Sequence, residues 1–156
     1  MSFRIVCLTA CFGAFLGSIA LADDSTERAK LTGTWQSSTG EKGIATKAVW
    51  VLESKGDSMH IINSQGDKKM AEYACTLDGK ECEVKDGGRK VKVTLYFNGP
   101  KLVVLETKGD EVVKRRFGTA EGDTLELEVI PMVPDGKTET LHFQRVQNGA
   151  AVASSR

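Results

Sequence analysis

Val91-Lys92-Val93-Thr94-Leu95-Tyr96-Phe97 runs directly into Asn98-Gly99-Pro100. Along an extended chain Val91, Val93, Leu95 and Phe97 fall on one face, and Lys92, Thr94 and Tyr96 on the other. Period-two alternation of this kind marks a strand with one face on a core and the other in water. Asn98-Gly99 then supplies residues that tolerate the positive φ of a tight turn.

The same device repeats in both directions. Leu125, Leu127 and Val129 oppose Glu126 and Glu128; Leu141 and Phe143 oppose Thr140, His142 and Gln144. Turn signals recur at Gly56-Asp57, Gly66-Asp67, Asp78-Gly79, Gly87-Gly88, Gly109-Asp110, Glu121-Gly122-Asp123 and Pro134-Asp135-Gly136. They bound strands predicted at 31–37, 46–54, 58–64, 69–77, 81–85, 89–97, 101–108, 111–119, 124–131 and 138–146. The segment 23–30 is expected to form one turn ahead of them.

The predicted fold is therefore all-β, an antiparallel up-and-down meander of about 8–10 strands. Twist accumulates over so many strands until the sheet curls or splits. Closure into a barrel removes the exposed edges and is the expected outcome; a two-sheet sandwich is the alternative.

The N-terminus reads as a targeting segment. Arg4 is followed by an uncharged run, Ile5 to Ala22, that ends Ala20-Leu21-Ala22 before Asp23-Asp24. Small residues at −3 and −1 fit a signal peptidase site. The expected organisation is a signal peptide at 1–22, one domain at 23–147 and a small polar tail at 148–156. The protein is then exported, to the periplasm or the medium. A lipid anchor at Cys11, in Leu8-Thr9-Ala10-Cys11, is one alternative; an uncleaved membrane anchor is another.

Of 21 basic and 21 acidic residues in 156, cleavage removes only Arg4, leaving a net charge near −1. That balance argues against a nucleic-acid partner, which requires a basic footprint, and gives no reason for membrane attachment after cleavage. The signal also carries away Cys7 and Cys11, so Cys75 and Cys82 remain as a pair in an oxidising compartment. A two-residue turn on Asp78-Gly79 sets Leu77 opposite Lys80, Thr76 opposite Glu81 and Cys75 opposite Cys82, within reach of a disulfide. Counted this way the cysteines occupy a hydrogen-bonded pair, where the strands stand wider apart; a longer loop or a bulge relieves the geometry.

Leu31-Thr32-Gly33-Thr34-Trp35 opens the first predicted strand. A Gly-x-Trp there, followed by a meander, resembles the calycin group of lipocalins, fatty-acid-binding proteins and avidins. In lipocalins this Trp closes one barrel end under a late basic residue, so the resemblance implies that role for Trp35 and Arg145. The stretch from Tyr73 through Asp78-Gly79-Lys80-Glu81 to Phe143-Gln144-Arg145 also resembles small exported lipocalin-like bacterial proteins of unassigned activity. The lipocalin Thr-Asp-Tyr motif is absent, and the biotin-contacting residues of avidins have no match, so no particular ligand carries over.

No phosphate-cradling Gly loop, Cys-x-x-Cys, His-Glu-x-x-His or Gly-x-Ser-x-Gly is present. Neither an enzyme nor a bound cofactor or metal is expected. His60 and His142 stand on separate strands and read as ordinary surface or hydrogen-bonded histidines rather than metal ligands. In Lys114-Arg115-Arg116, alternation turns Arg115 away from its neighbours. If Val113 and Phe117 face inward, so does Arg115, and its guanidinium fork fits a ligand carboxylate. Another register, or a cap at a barrel end, are the other readings of Arg115. Trp50, Tyr73, Tyr96, Phe97, Phe117 and Phe143 either line a cavity or fill the core. Two functions compete. One is a barrel holding a small apolar or amphipathic ligand, with Trp50, Tyr73, Tyr96, Arg115 and Phe117 around it. The other is a structural or protein-interaction domain with a filled core.

Overall fold

A computed structural model describes residues 24–37, 47–121 and 123–146. The expected signal peptide at 1–22, Cys11 and the tail at 148–156 lie outside the described residues. One helix, α1 (Asp24–Leu31), precedes ten strands. These are β1 (Gly33–Ser37), β2 (Ala48–Lys55), β3 (Ser58–Gln65), β4 (Lys68–Thr76), β5 (Glu81–Asp86), β6 (Arg89–Asn98), β7 (Lys101–Lys108), β8 (Glu111–Ala120), β9 (Thr124–Val133) and β10 (Glu139–Arg145). Gly56, Gly66, Gly87 and Gly99 take φ near +55 to +59° in the tight turns, as the turn reading requires.

All ten strands belong to one antiparallel sheet ordered β4-β3-β2-β1-β10-β9-β8-β7-β6-β5. The first and last strands pair, with Trp35 opposite Arg145 and Ser37 opposite Phe143. The sheet curls until its two ends, β4 and β5, stand side by side in a nearly closed barrel. The sandwich alternative is thereby excluded.

Two local expectations are corrected. The single turn expected before the first strand is a helix of eight residues, and it takes in Leu31, so β1 begins only at Gly33. Asp24 and Glu27 in its first turn and Arg28 and Lys30 in its last suit the helix dipole. Leu31 and Glu27 are buried against the barrel end.

The second correction concerns Asp78-Gly79. β4 and β5 form no hairpin ladder. The loop between them reaches outward for its hydrogen bonds: Leu77 N–H donates to Asp57 O at 2.9 Å and Gly79 N–H to Leu95 O at 3.0 Å. Asp78 accepts from Thr76 and from Lys80 N–H within the loop. Cys75 and Cys82 are disulfide-bonded with Cα atoms 6.1 Å apart. The bond therefore ties the two sheet ends where main-chain pairing does not.

The barrel is filled at one end. Trp35, Leu52, Met59, Ile61, Leu95, Leu102, Phe117 and Leu125 are fully buried there, with Leu31 of α1 packed among them. Trp35 donates through its indole N–H to Leu31 O at 2.9 Å. The Arg145 guanidinium lies 4.1 Å from the Trp35 ring centroid, a cation–π contact. It also donates to Thr32 O (2.8 Å) and Lys30 O (2.7 Å), satisfying carbonyls at the end of α1.

Gly33 explains the Gly of Gly33-Thr34-Trp35. Its φ is +148°, a conformation that disfavours a side chain, and a Cβ built there would collide with Arg145 Nη1. Glycine at this position makes the room in which the guanidinium lies.

A candidate ligand cavity at the open end

At the other end the inward rows change character. On β7 the inward positions run Leu102, Val104, Glu106, Lys108; on β3 they run Met59, Ile61, Asn63, Gln65; on β5 they run Cys82, Val84, Asp86. Each row is apolar at depth and polar near the mouth. The strands thus enclose a cavity of about 350 Å3. Trp50, Leu127, Val129, Leu141 and Phe143 give it an apolar wall, with Ala48, Ala71 and Met70 nearby. Asn63, Gln65, Tyr73, Asp86, Glu106, Lys108 and Arg115 bring polar groups into it.

The polar groups are organised in pairs. Arg115 Nη1 donates to Glu106 Oε2 at 2.8 Å, and the Tyr73 hydroxyl donates to the same oxygen. Lys108 Nζ lies 2.6 Å from Asp86 Oδ2. Burial pushes the Tyr73 hydroxyl well above the ordinary phenol range, and the Glu106 carboxylate beside it adds to the shift. Tyr73 is therefore a neutral donor throughout the physiological range.

A second groove, of about 550 Å3, lies where β4 and β5 part. Lys68, Lys69, Lys85 and Arg89 edge it, and Met70, Ala71, Asp86 and Lys108 border both it and the inner cavity. The gap in the sheet is thus continuous with the mouth.

The residues singled out from sequence divide into three groups. Trp50, Tyr73, Arg115 and Phe143 border the cavity. Phe117 does not; it is fully buried beneath the floor, with its ring edge-on to Trp50 at 5.1 Å between centroids. Its strand runs from mouth to filled end, so two residues past Arg115 the row has entered the packed half. Tyr96 does not line the cavity either, because alternation on β6 buries Leu95 and turns Tyr96 to the outer face. Phe97 is partly buried against the core.

Lys114 and Arg116 flank Arg115 on the opposite face, where Arg116 pairs with Glu128 at 3.0 Å. Glu128 and Glu126 also hold Lys101. His60 lies on the outside of β3 between Glu53 (3.1 Å) and Glu72 (2.9 Å). Among the described residues no group of three or more His, Cys, Asp or Glu side chains suits a metal ion.

Glu106, Lys108, Asp86, Asn63 and Gln65 were not singled out from sequence. Their signal was present: each continues an inward apolar row at the same parity. A polar residue on the core parity near a strand end marks where a barrel stops being solid.

No protein-family model matches the chain. No curated protein matches it either. Solved structures do. A secretory abundant heat soluble (SAHS) protein from Ramazzottius varieornatus superposes with a TM-score of 0.63 at 16% identity, over 75% of this chain and 96% of that one. A Schistosoma mansoni fatty acid binding protein, solved in complex with arachidonic acid, gives 0.62 at 18% identity over 77% and 98%. Echinococcus granulosus fatty-acid-binding protein 1 gives 0.61 at 14% identity over 76% and 98%. At these identities the likeness is one of fold: this chain has a calycin-like barrel.

Proposed function

We propose that this chain is exported and that its barrel holds a small apolar or amphipathic ligand at the open end. The observation that carries the reading is the cavity itself, about 350 Å3 with an apolar wall and convergent polar groups, above an end filled by fully buried side chains. Its size falls at the lower end of the usual range for ligand sites, about 300–1,000 Å3. Trp50, Phe143, Leu127, Val129 and Leu141 take the apolar part of the ligand; Tyr73, Glu106 and Arg115 orient its polar end. The groove between β4 and β5 is the way in, since it shares four bordering residues with the cavity.

Neighbours of the same fold support a holding role rather than catalysis. They include a fatty acid binding protein in complex with arachidonic acid and a fatty acid transporter. Export is supported by the Ala20-Leu21-Ala22 site after an uncharged run; a lipid anchor at Cys11 is its alternative.

The test is mass spectrometry of small molecules extracted from protein purified without denaturation, followed by titration of the delipidated protein. Trp50 stands on the cavity wall and Trp35 in the filled end, so binding should change Trp50 emission, and Trp50→Phe should remove the response. A protein that carries no small molecule and shows no response across a panel of amphiphiles refutes the reading.

A further inference from the structure

The charges inside the cavity are already matched. Among the described residues it has two cations, Arg115 and Lys108, and two anions, Glu106 and Asp86. They are paired at 2.8 Å and 2.6 Å. The side chains of Arg115 and Glu106 are only 20% and 16% exposed, so water screens this pair weakly. One oxygen of Glu106 takes donors from both Arg115 and Tyr73.

A ligand carboxylate approaching Arg115 meets one of two obstacles. If it comes in beside Glu106, two like charges stand together at a poorly hydrated site. If it displaces Glu106, a largely buried carboxylate loses both of its donors, which costs more than a simple hydrogen bond returns. An uncharged group that both donates and accepts meets neither. It can donate to the second Glu106 oxygen and accept from an Asn63 or Gln65 amide, while both ion pairs stay intact.

We propose that Glu106, by occupying Arg115, makes the cavity select amphiphiles with an uncharged hydrogen-bonding headgroup, such as a hydroxyl, over free carboxylic acids. This rests on the ligand-holding reading of the barrel. At the roughly 30 Å3 that a water-sized group occupies in a liquid, the cavity accommodates about a dozen heavy atoms, which sets the probe length.

Decan-1-ol and decanoate share one chain and differ in the headgroup, and their binding is measured by calorimetry at neutral pH. The wild-type protein is expected to bind decanol at least about tenfold more tightly than decanoate. Because any apolar site favours the alcohol somewhat, the variant Glu106→Gln is decisive. It should raise decanoate affinity about tenfold or more, shifting the preference between the two probes toward the acid by about that factor. Wild-type protein that binds decanoate as tightly as decanol, or a folded Glu106→Gln with unchanged decanoate affinity, overturns the proposal and leaves the ligand-holding reading standing. Binding of neither probe overturns both. If Glu106→Gln does not fold, Glu106→Ala carries the test: a gain of about tenfold or more for decanoate supports the proposal, and an unchanged decanoate affinity overturns it.

Discussion

Arg145→Met should unlatch the helix from the barrel. The guanidinium lies 4.1 Å from the Trp35 centroid and donates at 2.8 Å and 2.7 Å to Thr32 O and Lys30 O. The cation–π contact is worth about 1 kcal/mol in a partly desolvated site. The two charge-assisted bonds add about 1 kcal/mol each once discounted for exposure. The Asp123 bridge adds nothing measurable, because Asp123 is 68% exposed. The total, about 3 kcal/mol, corresponds to a melting temperature lower by about 10 °C for a domain of this size. An eight-residue helix has little stability of its own, so α1 amides should lose hydrogen-exchange protection before the strands do. Gly33→Ala should act on the same contact by pushing Arg145 off the ring, and costs about 1–3 kcal/mol. The two substitutions are therefore coupled: the double variant should cost about 1–2 kcal/mol less than the sum of the singles. Denaturant unfolding of the four proteins measures this. Additivity within about 0.5 kcal/mol, or an Arg145→Met protein that melts with the wild type, refutes the latch.

Three further outcomes are expected. The unfolded, unreduced protein should show no thiol at Cys75 or Cys82, and reduction should cost about 2.5 kcal/mol in the chain-entropy model for so short a loop; two free thiols there contradict the tie between the sheet ends. His60 gives a pH dependence: its hydrogen bond to Glu72, then that to Glu53, holds its pKa above the ordinary 6.5. A raised folded-state pKa means stability that is full below pH 6.5 and lost as pH climbs through the folded value. Glu53 is lowered from 4.5 chiefly by His60 and Glu72 chiefly by Lys69, so their share is lost as pH falls below 4.5 through their folded values. Melting temperature should accordingly fall as pH rises above 6.5, and His60→Gln should remove that fall; an unchanged fall in the variant refutes the assignment. Finally, N-terminal sequencing of exported material should begin at Asp23, and a lipid-modified Cys11 start would replace the signal-peptide reading with the anchor.

The strands were legible because each carries its own evidence. The run from Val91 to Phe97 needs no distant partner to show which face is apolar, and its observed span, Arg89–Asn98, differs from the predicted one by a single residue. What failed was local signal overruled from a distance. Asp78-Gly79 has the chemistry of a hairpin, yet Leu77 and Gly79 find acceptors at Asp57 and Leu95, on other turns and strands. Each acceptor continues a ladder with the neighbouring hairpin, β4 with β3 and β5 with β6, so no reading of the segment alone could place the break between β4 and β5. Phe117 and Tyr96 lie off the cavity for other reasons: parity on β6 sets Tyr96 on the outer face, and depth along β8 sets Phe117 below the floor.

Parity and depth together give a sharper rule than residue type. Glu106 stands two residues beyond Val104 on the same face, and Asn63 two beyond Ile61. In a solid barrel an inward Glu at that depth would face an apolar neighbour and lose more in desolvation than packing returns. Such a residue persists only where water, a ligand or a partnered charge meets it, and here Arg115 and Tyr73 do. The polar residues on the core parity therefore outline the open end before any coordinates are known. Because the charged ones are ion-paired, Glu106 with Arg115 and Asp86 with Lys108, the charges of the cavity are used in holding it together, and the amides of Asn63 and Gln65 supply uncharged hydrogen-bonding groups beside them.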